Sequence, residues 1–277
     1  DKIDMVICNL YPFKSAADKG VDLSSLIEEI DIGGPSLLRA ASKNHSRVSV
    51  VTDPADYTWI LGEISKGGLT LQQRQQLALK SFRHTAEYDS IIQSVLGQRF
   101  GEEELPSSLH LTGIGSPPLR YGENPHQSSV FYSDMLHSAP SVANSAQVQG
   151  KQLSYNNLLD FDAALAIVME FDEPTAVIVK HNNPCGVASS TNLLEAFNDA
   201  MSTDPQSAFG GIISFNTEVD ATLAEEIVSS FKEGIIAPSY SDKALEIFSS
   251  KKNLRVLETG SLEDYHRSPS LRSLDGG

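Results

Sequence analysis

The chain has 277 residues, 40% of them hydrophobic, enough for one large or two ordinary globular domains and too apolar for wholesale disorder. Lys and Arg total 21 against 36 Asp and Glu, a formal charge of −15, which argues against a surface-wide attraction to nucleic acid or to an anionic membrane and leaves any anionic ligand to local groups. Two cysteines, Cys8 and Cys185, suit a reducing compartment better than a disulfide scaffold, and with no long apolar run and no cleavable leader in view a cytoplasmic location is expected.

The chain opens on Ile3-Asp4-Met5-Val6-Ile7-Cys8-Asn9, an apolar run that predicts a strand buried on both faces. Such a strand needs partners that should partly precede it, and the aperiodic Ser268 to Gly277 closes no element, so both ends are expected to be cut. Leu23 to Ile30 has helical spacing. Gly33-Gly34 then leads into Pro35-Ser36-Leu37-Leu38, a helix start with exposed backbone N–H groups. Arg47 to Thr52 predicts a second strand, followed by Asp53-Pro54 as cap and first position of a helix that Gly67-Gly68 ends. Thr70 and Gln73 form a capping-box pair, and Leu71, Ala78, Phe82, Thr85, Ile92 and Leu96 predict the apolar face of a long helix.

From Gly101 to Pro118 the composition turns acidic and then rich in Gly, Ser and Pro, which marks a boundary near Gly113 and divides the chain into domains 1–113 and 114–277. Beyond it the chain alternates: strand Thr175 to Lys180, helix Asn192 to Ser202, strand Gly211 to Phe215, helix Ala221 to Phe231, strand Gly234 to Ala237, helix Asp242 to Ser250. This rhythm predicts α/β layers with mainly parallel strands in both parts.

Four polar clusters follow predicted strands or open predicted helices, where open α/β sheets hold their ligands. In Asn9-Leu10-Tyr11-Pro12-Phe13-Lys14, Tyr11 is either a proton or hydrogen-bond donor or a rim aromatic packed on a helix. In Asp31-Ile32-Gly33-Gly34, free N–H groups with Arg39 and Lys43 one turn apart suit a phosphate or an oxyanion; the alternative is a solvated basic helix face after an ordinary Gly turn. It is not a Walker A loop, because the Gly-Lys-Ser/Thr ending is missing. Leu119-Arg120-Tyr121-Gly122-Glu123-Asn124-Pro125-His126-Gln127 is dense in hydrogen-bonding side chains, although Arg120-Tyr121 also reads as a stacked surface pair. Finally, Val177-Ile178-Val179-Lys180-His181-Asn182-Asn183-Pro184-Cys185-Gly186 delivers a Lys and a His from a buried strand into a polar loop, either an acid/base pair or a solvated strand end.

Cys185 near His181 has no activating third group, which favours a structural thiol over a nucleophile. Pro184-Cys185 matches half of the zinc deaminase signature, but Ala188 stands where a second Cys is required and no His-x-Glu partner exists, so no metal site is expected.

Seven ordered blocks closely resemble the bifunctional enzymes that combine aminoimidazole carboxamide ribonucleotide (AICAR) formyltransferase with inosine monophosphate (IMP) cyclohydrolase. They are Cys8 to Phe13, Ile30 to Gly34, Arg39 to His45, Leu119 to Gln127, Lys180 to Gly186, Ser207 to Gly210 and Gly234 to Pro238, and the resemblance runs from Asp1 to about Glu258.

The resemblance implies an amino-terminal, methylglyoxal-synthase-like α/β domain that closes the purine ring. Tyr11, Asp31 and Lys43 match its catalytic residues; Gly33, Gly34 and Arg39 are expected at the nucleotide. Lys43 and Tyr11 would handle protons while the Asp31 loop steadies the oxyanion. It further implies a cytidine-deaminase-like second domain that moves a formyl group from the co-substrate 10-formyltetrahydrofolate to AICAR, giving FAICAR for cyclodehydration to IMP. By motif His181 is the base toward the amine and Lys180 serves the departing folate nitrogen. Arg120 and Tyr121 are expected at the nucleotide, Asn157 and Phe209 near the substrate, and Glu233 where the family has a polar group. Family members are homodimers with no nucleic-acid or membrane partner. Their chains start earlier, with strands and a glycine-rich, Lys-bearing loop, and run well past the counterpart of Gly277, so both sites here are expected to be partial. The rival expectations are a nucleotide binder without turnover and a fragment that does not fold alone.

Overall fold

The computed structural model describes residues 2–101, 108–267, 271, 274 and 275; residues 102–107 of the expected boundary and most of the aperiodic 268–277 lie outside the described residues. The chain forms two compact units, Asp1–Thr112 and Gly113–Gly277, both of mixed α/β structure.

In the first unit β1 (Met5–Ile7) is followed by α1 (Phe13–Asp18), α2 (Leu23–Glu28) and α3 (Gly33–Lys43). Then come β2 (Ser49–Val51), a 3-10 turn (Pro54–Asp56), α4 (Tyr57–Ser65) and α5 (Leu71–Phe100). β1 pairs in parallel with β2, Val6 opposite Val50. The local punctuation follows the side chains. Asp22 accepts the Ser25 N–H, Asp53 accepts the Ala55 N–H ahead of Pro54, and Thr70 with Gln73 closes a capping box. Leu38 and Ala41 of α3, Val50, Val51, Ile60, Leu77 and Ala78 make the core, each large side chain contributing about 2 kcal/mol by leaving water.

Two expectations fail in this unit. β1 is not buried on both faces: Met5 and Val6 are partly buried and Ile7 is 55% exposed. The buried stripe of α5 is Leu77, Ala78, Ser81, Thr85, Tyr88 and Ile91, at three- and four-residue spacing. Leu71 stays exposed in the first turn, and the Phe82 ring lies under the Arg39 guanidinium, 5.7 Å from its centroid, instead of in the core.

The second unit begins with an antiparallel pair, β3 (Gly113–Gly115) and β4 (Tyr132–Asp134). It continues with β5 (Ala146–Gln149), α6 (Tyr155–Val168), β6 (Thr175–Lys180), β7 (Asn183–Ser189), α7 (Leu193–Thr203), α8 (Pro205–Ala208) and β8 (Ile212–Phe215). α9 (Ala221–Val228), β9 (Gly234–Ala237), α10 (Asp242–Ser249) and β10 (Arg255–Glu258) complete it. The six-stranded sheet has the order β5-β10-β9-β8-β6-β7. One face packs on α6, with Val177, Val179, Ile212, Ile236 and Leu257 against Phe161, Ala164, Leu165 and Val168. The other, with Ala176, Ile178, Ile213, Ile235 and Val256, packs on α7, α9 and α10. Side chains alternate between the two layers as the pleat requires.

The expectation of mainly parallel strands fails in this sheet. Only β8-β9 and β9-β10 are parallel; β5-β10, β8-β6 and β6-β7 are antiparallel. The reason is local: β6 turns straight back into β7 through His181-Asn182, with Lys180 opposite Asn183, so the expected polar loop is a two-residue hairpin. Pro184 is tolerated because β7 is an edge strand, and the register shifts beside it. No helix among the described residues is long and apolar enough to cross a membrane.

Candidate functional site

In the first unit the segment after β1 lies against the turn before α3. A Cβ on Gly34 would meet both the Leu10 side chain and the Asp31 carboxylate, so these side chains would have to shift to admit one. Asp31 Oδ1 accepts the Gly34 N–H at 2.6 Å. One donor of the expected anion cradle is therefore already taken by the carboxylate beside it, and a ligand would meet what remains. Burial and then the Asp31 charge push the Cys8 thiol up, which ties the β1 exit to the same turn. Asn9 is committed to structure: its amide donates to the Thr52 carbonyl at 3.0 Å, and its Oδ1 accepts the Tyr57 hydroxyl at 3.1 Å. Tyr11 is 55% exposed beside it.

Arg39 and Lys43 are exposed on α3. Lys43, the last residue of the helix, stands ten positions after Gly33, about 15 Å along the axis. The structure thus sets Asp31, Gly33 and Gly34, with Leu10 against them, at one end of α3 and Lys43 at the other.

In the second unit Lys180, His181, Phe209 and Glu233 flank one end of the sheet, formed by the end of β6 and the starts of β8, β9 and β10. Lys180, half-buried, donates from Nζ to the Phe209 carbonyl at 3.0 Å. Phe209 is 56% exposed, its ring 5.8 Å from that of Phe231. His181 is exposed at the hairpin tip, with φ of 54° at His181 and 59° at Asn182. Both lie in the left-handed region that non-glycine residues seldom occupy. Glu233, at the entry to β9, gives Oε1 to the guanidinium of Arg255 at 2.8 Å. Arg255 is buried, so this carboxylate neutralises an internal charge through one of its two oxygens.

The Arg120 run folds on itself: Gln127 accepts the Asn124 N–H through Oε1 at 2.8 Å, and its carbonyl accepts the Gly122 N–H at 2.8 Å. The Arg120 guanidinium lies 5.3 Å from the centroid of the Tyr121 ring, the stacked arrangement. The first turns of α6 touch both this run and the hairpin. The Tyr155 N–H donates to the Tyr121 carbonyl at 3.4 Å, the Asn156 amide to the Glu123 carbonyl at 3.2 Å, and Asp160 Oδ1 accepts the Asn182 N–H at 2.7 Å. Asn157 is buried, and its Oδ1 accepts the Ser154 backbone N–H at 3.0 Å and the Ser154 hydroxyl at 2.9 Å, closing a capping box. Burial, reinforced by Asp204, pushes the Cys185 thiol up, which fits a structural thiol rather than a nucleophile.

One group escapes the sequence pattern. A cavity of about 430 Å³ at the entries to β9 and β10 is lined by Lys232, Lys251, Lys252, Ser229, Ser230 and Asn253 among others. Lys232 is 4% exposed, with its ammonium 5.8 Å from the Phe197 centroid and donating to the Ser230 hydroxyl. Three lysines thus line one cavity in a chain of net charge −15. Its signal is the Lys-Lys-Asn step before β10, which reads as a solvated turn until β9 is placed beside it.

A family model described as AICARFT/IMPCHase bienzyme matches residues 41–277. The bifunctional purine biosynthesis protein PurH of Bacillus cytotoxicus is 50% identical over 277 residues, which cover 99% of this chain and 54% of that protein. The proteins of the same description from Persephonella marina and Halalkalibacterium halodurans are 46% and 49% identical, over 100% and 99% of this chain and 55% and 54% of their own lengths. The chain thus spans about half the length of the curated relatives it matches. Among solved structures, the crystal structure of ForH aligns over 35% of this chain and 51% of that one at 33% identity, with a TM-score of 0.30, too low to inform the fold.

Proposed function

The chain belongs to the AICARFT/IMPCHase bienzyme family, and on that footing we propose that it carries parts of both active sites for the last two steps of IMP synthesis. Residues 1–113 are the methylglyoxal-synthase-like cyclohydrolase domain, and 114–277 are the first part of the cytidine-deaminase-like formyltransferase domain. The formyl donor is 10-formyltetrahydrofolate, the acceptor AICAR, and the working form of the full-length protein a homodimer in the cytoplasm.

The observation that carries the reading is the end of the sheet where Lys180, next to His181, holds the Phe209 carbonyl, while Phe231, packed on Phe209, lines the lysine-bearing cavity. That cavity suits the nucleotide phosphate, and the stacked Arg120-Tyr121 pair offers a further cation and ring. In formyl transfer the AICAR amine attacks the formyl carbon, a new C–N bond forms, and the bond from that carbon to the folate nitrogen breaks. His181 accepts the proton that the amine sheds, and Lys180 delivers one to the departing folate nitrogen. In ring closure the carboxamide nitrogen of FAICAR attacks the formyl carbon and water leaves. Asp31, Gly33 and Gly34 border the developing oxyanion, Tyr11 handles a proton, and Arg39 serves the phosphate. Lys43, the last residue of α3, handles the second proton.

The test uses the full-length protein that contains this sequence. His181→Ala should abolish folate-dependent formylation and leave ring closure of supplied FAICAR intact; Asp31→Asn and Lys43→Met should do the reverse. Formylation that survives His181→Ala ends the transferase reading, and undiminished ring closure in Lys43→Met removes that lysine from the mechanism.

For the 277-residue chain by itself, a second reading is nucleotide binding without turnover, favoured by its coverage of about half of each relative. Thermal melting with AICAR at a hundred times its dissociation constant should then show a stabilisation of about 2.7 kcal/mol without product formation.

A further inference from the structure

The hairpin tip that presents His181 is held in a conformation that residues other than glycine seldom adopt. A two-residue β-hairpin turn with left-handed backbone at both central positions is ordinarily built on glycine or Asn-Gly; here the two positions are His181 and Asn182. Strain of this kind persists only where the surroundings over-determine it, and such positions concentrate at functional sites. Two of the backbone groups that the turn directs away from the strand ladder are bound by side chains. Asn183 donates from its amide to the His181 carbonyl at 2.8 Å, and the Asn182 N–H donates to Asp160 Oδ1 at 2.7 Å. The second is the stronger restraint, because its acceptor is a carboxylate and it comes from a different element, the helix α6 packed on the sheet.

We infer that Asp160 is a positioning residue for formyl transfer: its carboxylate fixes the Asn182 N–H and thereby the strained turn that aims His181 at the substrate amine. The inference rests on the role given to His181 above. The same bond sets the tip relative to Lys180, whose Nζ is tied separately to the Phe209 carbonyl. Without Asp160 the hairpin keeps its ladder bonds, so the fold survives while the tip relaxes toward ordinary backbone angles and the imidazole loses its aim.

In the full-length protein, Asp160→Ala should lower the kcat of formyl transfer roughly tenfold to a hundredfold, with the KM for AICAR and the rate of ring closure within about twofold of wild type. Asp160→Asn, which keeps an acceptor oxygen, should retain most of kcat. Adding Asn182→Gly to Asp160→Ala should recover much of the loss, since glycine takes the left-handed conformation without help. Unchanged kcat in Asp160→Ala overturns the inference. So does a parallel loss of formyl transfer, ring closure and melting temperature that Asn182→Gly does not relieve, because that pattern marks a structural role. Failure of the underlying reading is seen separately, as formyl transfer surviving in His181→Ala.

Discussion

The Tyr88 hydroxyl accepts the backbone N–H of Asp31 at 2.9 Å and donates to the Glu29 carbonyl at 3.1 Å. A buried residue in the middle of α5 thus holds the turn that carries the candidate carboxylate. Burial, assisted by the Asp31 charge, raises the Tyr88 hydroxyl above its ordinary range, so it remains a donor at neutral pH. Tyr88→Phe leaves both backbone groups without their partner and should cost about 1–3 kcal/mol in chemical denaturation. Ring closure should fall more than formyl transfer; equal stability in the two proteins would deny the hydroxyl this function.

Gly186 follows the hairpin on β7, and a methyl group there would overlap the Ala200 carbonyl oxygen of α7. Neither the edge strand nor the helix can move without opening the core of Ala196, Ala200 and Ile178. Gly186→Ala should therefore cost about 3 kcal/mol or more. Gly62, inside α4 with open space around it, is the matched control: Gly62→Ala should gain about 0.5–1 kcal/mol. Denaturation midpoints that shift alike for both would show the close approach to be unimportant.

Burial pulls the Lys232 ammonium below the ordinary lysine value of 10.5, with Glu226 opposing. Below its native pKa the folded state carries a buried cation that the unfolded chain would hydrate. As pH rises through that native value toward 10.5, the unfolded chain retains a proton that the native state has released, and the penalty fades. Lys232→Met should be more stable than wild type at neutral pH, with the advantage shrinking toward alkaline pH. The same variant should bind the nucleotide more weakly, because the cavity has lost a cation. A Met variant less stable than wild type at every pH contradicts the assignment.

Asn157 is expected near substrate, yet its oxygen is engaged by Ser154 at the start of α6. Asn157→Ala should lower stability by about 1 kcal/mol, whereas Asn157→Asp, which keeps the acceptor, should not. Indifference of stability to both substitutions would reassign the side chain wholly to the ligand.

What is legible in the sequence is local. β6 and β9 match their predicted bounds, and Asp22, Asp53, Thr70 and Ser241 cap helices within one turn of themselves. The parallel pair β8, β9 follows from alternation with α9, whereas β10, which extends it beyond α10, is not among the predicted strands. The rest depends on partners far along the chain. β5 pairs with β10 more than a hundred residues later, and nothing in Ala146–Gln149 announces it. α6 is hard to see in the sequence because its apolar residues run unbroken from Ala163 through Val168, which blurs the helical period. The hairpin reads as a loop because His181-Asn182 lacks the glycine that usually marks such a turn. For the site, the motifs themselves pick out Lys180, His181 and Phe209, but Lys232, Lys251 and Lys252 acquire meaning only when β9 and β10 lie side by side. The Gly34 N–H, open by its position at a helix start, is occupied because the carboxylate three residues earlier reaches it first.

α6 works as a spacer of fixed length. It grips the Arg120 run through Tyr155 and Asn156 and the hairpin through Asp160, four residues further on. One residue added between Asn156 and Asp160 would swing the carboxylate by about 100° around the axis and carry it about 1.5 Å onward, releasing one grip or the other. Loops of this unit can change length at small expense, but that stretch of helix cannot: there the count of residues matters as much as their identity.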